Sequence, residues 1–289
     1  MESILVTGAT GLLGRSLIPQ LSTYGHKIIT QAREKDADFL LDLVDENNVF
    51  ELLNETKPSV IVNLIGLTSV EQCQKAPNEA YLSNVRTVEN LSQWIKLSDS
   101  GTHLIQISTD QVYDGLGPHP EKAVNLTNAY ACSKYAGELA ADLVSSTVLR
   151  TNFVGISSAD DRESLTDWVV NSLKSGQNIK VLNDVLFSPL SMTTLIKMID
   201  LVIEQKPTGV FNLGSRNGMS KADFDFDFAE CLGLQTKLMT RINTEQATFL
   251  KAYRPKDMRL DCAKFEKVFE VTLPNLSDEI QLVASEYRK

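Results

Sequence analysis

Tyr130-Ala131-Cys132-Ser133-Lys134 sets a phenol and an ammonium four residues apart, on one face of any helix that carries them. Upstream, Gln106-Ile107-Ser108-Thr109-Asp110 turns polar straight off an apolar strand candidate. At the N-terminus, Thr7-Gly8-Ala9-Thr10-Gly11-Leu12-Leu13-Gly14 joins a strand candidate to a helix candidate. The chemistry that suits these groups is hydride reduction of a ketone. Hydride from a nicotinamide leaves negative charge on the carbonyl oxygen, which must be protonated as it develops. Tyr130 can donate that proton. A free phenol has a pKa of about 10, and each unit by which Lys134 and the nicotinamide charge lower it is worth ~1.4 kcal/mol. Lys134 would also hold the nicotinamide ribose, and Thr109 would hydrogen-bond the carbonyl oxygen. A Tyr-x-x-x-Lys pair alone commonly marks a solvated helix surface; with the loop and the polar strand end in this order, it describes one site.

In the loop, Gly8 permits the turn, Gly11 lets backbone approach a pyrophosphate and Gly14 allows close helix–strand packing. The helix start adds N–H groups and positive dipole for the phosphates. The exit of the second strand reads Thr30-Gln31-Ala32-Arg33, with no acid until Glu34. An acid there would bind the adenosine ribose and an arginine would accommodate a 2′-phosphate, so Arg33 favours NADP over NAD, unless it is simply a solvated loop residue. Asp42-Leu43, read as closing the third strand, would meet the adenine edge; Asp42 also suits an ordinary turn or cap.

These groups need a scaffold, and the apolar pattern supplies one. Ile4-Leu5-Val6, Lys27–Thr30, Val60–Leu64, His103–Ile107 and Thr147–Leu149 read as strands. Between them lie helical patterns, among them a helix over about Ala76–Leu97 and another over about Tyr130–Val144. Strands apolar on both faces and joined by helices predict an α/β fold, a doubly wound parallel sheet of Rossmann type. Residues 1–152 form the dinucleotide-binding domain, which the chain re-enters near 190–213. Residues 153–289 form a smaller C-terminal α/β substrate domain, with helices near Leu165–Leu173, Leu195–Ile203, Phe224–Leu232 and Leu276–Tyr287 and strands at Ile179–Leu182 and Val210–Leu213.

The 289 residues, 43% of them hydrophobic, have ordinary globular composition. Lys+Arg 28 against Asp+Glu 37 leaves a net charge of −9, a poor trap for nucleic acid or an anionic membrane. No run nears the ~20 apolar residues of a membrane span. Met1–Val6 lacks the pattern of a secretory signal, and the four cysteines (Cys73, Cys132, Cys231, Cys262) are scattered with no C-x-x-C pair. A soluble, cytoplasmic setting is expected. Arg241, Lys251, Arg254, Lys256 and Arg259 make the C-terminal region locally basic; Arg254 is the best candidate partner for a substrate diphosphate. His119 reads as an exposed loop histidine, with the pocket lining as its other option, and Cys132 as a small packing residue. Tyr81, Val85 and Val88 suit either a core or the interface of a homodimer.

The chain resembles the extended short-chain dehydrogenase/reductases, and within them the dTDP-4-dehydrorhamnose reductase family. The stretches that carry the likeness are Thr7–Gly14, VIVNLIGLTSVEQ (60–72), Asn84-Val85, STDQVYDG (108–115), YACSKYAGE (130–138), LRTNFVG (149–155), DVLFSP (184–189) and RPKDMRLD (254–261). The resemblance implies cofactor contacts at Leu12, Leu13, Gly14, Asp42, Leu43, Leu64, Ile65 and Gly66. It implies catalysis by Thr109, Tyr130 and Lys134, with substrate contacts at Thr109, Asp110, Gln111 and Phe153. The expected reaction is reduction of a keto group on a nucleotide-activated deoxysugar, such as dTDP-4-dehydrorhamnose, for surface polysaccharide. NADP or NAD would be the cofactor, NADPH being favoured. Some relatives bind magnesium through carboxylates; Arg15-Ser16 offers none here, so no metal is expected. Related dehydratases carry a glutamate where Gln111 stands, and glutamine cannot serve as the acid for water loss. Two rival readings share the fold: a nucleotide-sugar epimerase, and a non-catalytic partner resembling the regulatory beta subunit of methionine adenosyltransferase.

Overall fold

Residues apolar on both faces of their strands become the inner strands of one large sheet. The computed structural model describes residues 2–159 and 162–288, and the chain packs as two units. The first comprises Met1–Thr109, Asn128–Arg150 and Ile196–Val210; the second comprises Asp110–Thr127, Thr151–Leu195 and Phe211–Lys289. Besides the residues beyond the expected boundary near 152, the second unit takes in residues 110–127.

The sheet contains β1 (Ser3–Thr7), β2 (Lys27–Ala32), β3 (Phe39–Leu40), β4 (Val60–Asn63), β5 (His103–Thr109), β6 (Ser146–Thr151) and β11 (Gly209–Leu213). Their order is β11-β6-β5-β4-β1-β2-β3, with parallel pairing from β3 through β5. From β1 the chain winds outward through β2 and β3, then returns to β4 on the other side. The carboxyl ends of β1 and β4 therefore form the switch point at which such sheets bind ligands. One sheet face is covered by α2 (Glu46–Thr56), α5 (Thr87–Ser98) and α6 (Ala129–Ala141), which bury Val49, Leu52, Val88, Leu91, Trp94 and Ala141 with Leu5, Ile61, Leu104 and Val148. Each fully buried aliphatic side chain there contributes roughly 1.5–3 kcal/mol. α1 (Leu12–Thr23) packs Leu13, Leu17 and Leu21 inward.

The helix expected over 76–97 is present in three parts. After α3 (Val70–Lys75) come α4 (Pro77–Tyr81), a π-helical turn over Leu82–Arg86, and α5. Asn84, buried inside the wide turn, accepts from the Leu67 N–H at 2.8 Å and donates to the Leu67 carbonyl at 3.1 Å and to Ser133 Oγ at 2.8 Å. Such turns recur beside functional sites. Val85 and Val88 are buried, whereas Tyr81 is partly exposed.

In the second unit, short strands pair two by two: β7 (Phe153–Val154) with β10 (Leu190–Ser191), β8 (Ile179–Leu182) with β13 (Met239–Ile242), and β9 (Leu186–Phe187) with β12 (Met219–Ser220). The helices are α7 (Leu165–Lys174), α8 (Met192–Gln205, shared with the first unit), α9 (Lys221–Cys231), α10 (Ala263–Phe269) and α11 (Leu276–Glu286). Phe187, Phe224 and Phe228 centre its core, with Phe224 and Phe228 one turn apart on α9. Among the described residues, no helix is long and apolar enough to cross a membrane.

Gly137 sets how closely α6 approaches the π turn: a Cβ there would lie 2.3 Å from the Asn84 carbonyl oxygen. Overpacking that neither backbone can relieve costs about 1–3 kcal/mol or more. Gly137→Ala is therefore expected to destabilise the protein by at least about 2 kcal/mol. Urea denaturation checks this, and an unchanged midpoint would count against the close packing.

Candidate active site

β1 ends at Thr7, and Gly8 follows with φ at 69°, in the left-handed region that favours glycine. A Cβ at Gly8 would press on the backbone of Leu64 and Ile65 at 3.0–3.1 Å, and one at Gly14 would lie 2.4 Å from the Ala9 carbonyl. At Gly11 the neighbour within reach is the Gly8 carbonyl at 3.2 Å, so bare backbone is presented where α1 starts. Among the described residues, no side chain caps that helix start. Its first N–H groups suit a pyrophosphate, so the loop fits a dinucleotide. The Leu13 side chain belongs to the core and Leu12 is half-buried, so Leu13 can serve a cofactor only through its backbone.

Beneath the loop lies a polar rung that sequence reasoning missed. Gln31, Thr7, Asn63 and Gln106 stand in register across β2, β1, β4 and β5, all buried. Thr7 Oγ1 donates to Asn63 Oδ1 at 2.6 Å, and Asn63 Nδ2 to Gln106 Oε1 at 2.7 Å. The Gln31 amide accepts from the Gly8 N–H at 3.2 Å and donates to the Leu41 carbonyl at 2.6 Å. The available signal was one polar residue at or near the end of each apolar strand.

Arg33 directly follows β2 and is exposed, the position at which a 2′-phosphate would be met. β3 stops at Leu40, so Asp42 and Leu43 lie beyond the strand they were expected to close. The Asp42 carboxylate accepts from the Val44 N–H at 3.0 Å, as a turn residue does. Leu43 is buried in the core, and its carbonyl accepts from Asn90 Nδ2 at 3.0 Å. Leu64, Ile65 and Gly66 follow β4, half-buried; a Cβ on Gly66 would lie 3.6 Å from Lys134 Nζ.

Thr109 ends β5, and Tyr130 and Lys134 occupy consecutive turns of α6, with Asn128 capping the helix by accepting from the Ala131 N–H at 2.8 Å. Tyr130 is 7% exposed and Lys134 5%. Lys134 Nζ donates to the Ile107 carbonyl at 2.6 Å, two residues before Thr109. Burial brings the Lys134 pKa down to about 8, opposed by the negative charge of Glu138 one turn on. Glu138 accepts from Ser108 Oγ and from Arg150 Nη2, the latter at 2.5 Å, all three buried. Lys134 and Glu138 thus tie α6 to the end of β5. Cys132, expected to pack as a small residue, is instead exposed, because it faces away from the side that carries Tyr130 and Lys134.

Asp110, Gln111, Phe153 and Arg254 belong to the second unit. Asp110 and Gln111 form a 3-10 turn with Val112, and buried Asp110 accepts from Asn152 Nδ2 at 2.7 Å. Phe153 is half-buried in β7, and Arg254 Nη1 donates to the Ala252 carbonyl at 3.0 Å. Most of the basic run is neutralised locally: Arg241 pairs with Asp223 at 2.6 Å, Lys256 with Asp184 at 2.5 Å and Arg259 with Asp257 at 2.6 Å. His119 is buried, not exposed, because it stacks on Tyr113 at 5.2 Å and its Nε2 reaches the Asp257 carbonyl at 2.8 Å. Among the described residues, no group of three or more His, Cys, Asp or Glu is placed to hold a metal ion.

With this geometry in place, a family model described as "RmlD substrate binding domain" matches residues 1–289. The chain belongs to the RmlD substrate binding domain family. It is similar to the dTDP-4-dehydrorhamnose reductase of Salmonella typhimurium, 28% identical over 287 residues, 94% of this chain and 93% of that protein. A solved dTDP-4-dehydrorhamnose reductase of Clostridium acetobutylicum matches with a TM-score of 0.89 at 26% identity, covering 99% of this chain and 100% of that one. The Bacillus anthracis enzyme, solved in complex with NADP, shares the fold with a TM-score of 0.89 at 23% identity over 99% of each chain.

Lys134 in this RmlD-family chain loses its proton as pH rises through about 8, since its folded pKa lies below the ordinary lysine value. Any turnover that needs its ammonium is expected to fall above pH 8. Lys134→Arg, charged at every accessible pH, should lower kcat but flatten that alkaline fall. A pH profile of both proteins reads the difference, and equal alkaline limbs would detach Lys134 from the titration.

Proposed function

We propose that the chain reduces the keto group of a nucleotide-activated deoxysugar, dTDP-4-dehydrorhamnose being the first candidate, with NADPH as reductant, in the making of surface polysaccharide. The observation that carries this reading is the hydrogen bond from Lys134 Nζ to the Ile107 carbonyl. It fixes the Tyr130–Lys134 face of α6 against the end of β5, in the unit that holds the glycine loop. The family match, the similarity to dTDP-4-dehydrorhamnose reductases and the NADP held by one structural neighbour support it.

When bound, the nicotinamide supplies a hydride to the carbonyl carbon. Tyr130 gives its phenolic proton to the oxygen as charge develops there, so the ketone becomes an alcohol and NADPH becomes NADP⁺. Lys134 places positive charge beside the phenol, favouring the phenolate left behind. Thr109 orients the carbonyl oxygen. Asp110, held by Asn152, and Gln111 contact the sugar, with Phe153 against its apolar side and Arg254 on the diphosphate. Gln111 supplies no titratable proton, so the sugar is reduced without loss of water. Arg33, with no acid at the β2 exit, selects the 2′-phosphate of NADPH.

Oxidation of NADPH and NADH against a panel of 4-keto nucleotide sugars tests the reading; no turnover with any of them would sink it. Tyr130→Phe is expected to cut kcat by about 10²–10⁴-fold while leaving the Kd for NADPH unchanged. Full activity in that variant would remove Tyr130 from the acid role. Arg33→Ala should weaken NADPH binding about tenfold, ~1.4 kcal/mol, without affecting NADH. Fluorescence titration of both cofactors reads the ratio, and an equal loss for each would refute the selection.

A further inference from the structure

Glu138 and Arg150 make a buried ion pair that the proposed chemistry leaves without a role. Arg150 Nε donates to both Glu138 oxygens at 3.0 Å, its Nη2 donates to Oε2 at 2.5 Å, and Ser108 Oγ donates to Oε1. Both side chains are almost completely out of water. Such a pair is weak evidence for stability, since the cost of desolvating two charges can exceed their attraction. Glu138 lies one turn beyond Lys134 on α6, Ser108 comes just before Thr109 on β5, and Arg150 stands on β6. Two strands therefore fasten the carboxylate beside the amine.

Lys134 has the complementary need. Its bond to the Ile107 carbonyl fixes where Nζ lies, but a carbonyl accepts from a neutral amine as well as from an ammonium. Burial favours the neutral form, so the charge must be kept by something else. Tyr130, one turn back on α6, carries its proton until the ketone takes it. Cys73, on α3, is buried, and burial raises its thiol above the ordinary range, so it is largely neutral where Lys134 titrates. Glu138 supplies the negative charge, with Arg150 behind the carboxylate. We propose that Glu138 is a positioning residue whose carboxylate, fastened by Arg150 and Ser108, keeps Lys134 an ammonium against the Ile107 carbonyl, an inference that rests on the reductase reading above. Glu138 thus acts on the reaction through Lys134, whose charge favours the phenolate of Tyr130. Its partners Ser108 and Arg150 lie 30 and 12 residues away in the chain, so no local spacing marks the cluster.

Lysine carrying a carbon label at Cε lets NMR follow the titration of Lys134 without any turnover, its signal being the one lost in Lys134→Arg. Glu138→Gln keeps the shape of the side chain and removes its charge. In that variant the Lys134 midpoint is expected to fall by about one pH unit or more, and the alkaline fall of kcat should move with it. Glu138→Asp, which retains the charge, should bring both most of the way back. Because Glu138→Gln leaves Arg150 buried without its counter-charge, a second variant joins it to Arg150→Met, an apolar replacement of the kind buried pairs tolerate. The double variant is expected to have a Tm near that of the wild type and still show the low midpoint. If the pair is purely structural, the Tm recovers and the midpoint stays where the wild type has it. That result, or an unmoved midpoint in folded Glu138→Gln, overturns the proposal. A lowered midpoint in a chain that reduces no keto sugar would leave the coupling standing and sink the reductase reading; an unmoved one beside full reduction does the opposite.

Discussion

The site depends on a buried ammonium held against a main-chain carbonyl at the end of a strand. Lys134 leaves water almost completely, and the 2.6 Å bond to Ile107 O gives it a neutral acceptor. A lone buried charge would be costly, so the surroundings must work to keep it. Glu138 supplies opposite charge one turn away, and Arg150 and Ser108 in turn satisfy Glu138. On its other side α6 presses on the π turn at Asn84, an approach that Gly137 allows. A glycine, an irregular helix turn and a buried ion pair thus gather around the helix that carries this amine.

The same reasoning accounts for the polar rung under the glycine loop. Strands buried on both faces should be apolar throughout, yet β1, β2, β4 and β5 each carry an amide or hydroxyl at the same level of the sheet. Placed singly, each would be a buried polar group with a desolvation cost; Thr7, Asn63 and Gln106 are linked across β1, β4 and β5, and Gln31 is satisfied by the Gly8 N–H and the Leu41 carbonyl. The rung also fixes Gly8 through Gln31, so the turn that faces a cofactor rests on a side-chain network and not only on strand pairing.

What is legible in the sequence follows the range of the signal. The glycine turn, the Tyr130–Lys134 pair and the alternation of strands and helices are local spacings, and the doubly wound sheet follows from them. Two-residue strands such as β7, β9, β10 and β12 are too short to show a period. The π turn is invisible because the helical pattern runs through Leu82–Arg86 with its buried positions intact. The end of β3 was misplaced because Leu41 and Leu43 extend an apolar pattern after pairing has stopped. His119 was misread since its burial comes from Tyr113 and from the distant Asp257 carbonyl. In the basic C-terminal run, Arg241, Lys256 and Arg259 pair with carboxylates that only the fold brings to them.

Two lysines in this chain differ in how their charge is held. Lys134 and Lys221 are both pulled below the ordinary lysine pKa by desolvation, and both have a carboxylate one turn further along their helix. For Lys134 that carboxylate is tied down by Arg150 and Ser108, and the amine itself has a carbonyl, so the arrangement is complete and rigid. For Lys221 the carboxylate of Asp225 keeps an unpaired oxygen, and the amine faces an aromatic ring with a second cation in its field. A closed network favours a group that must hold one geometry through proton transfer.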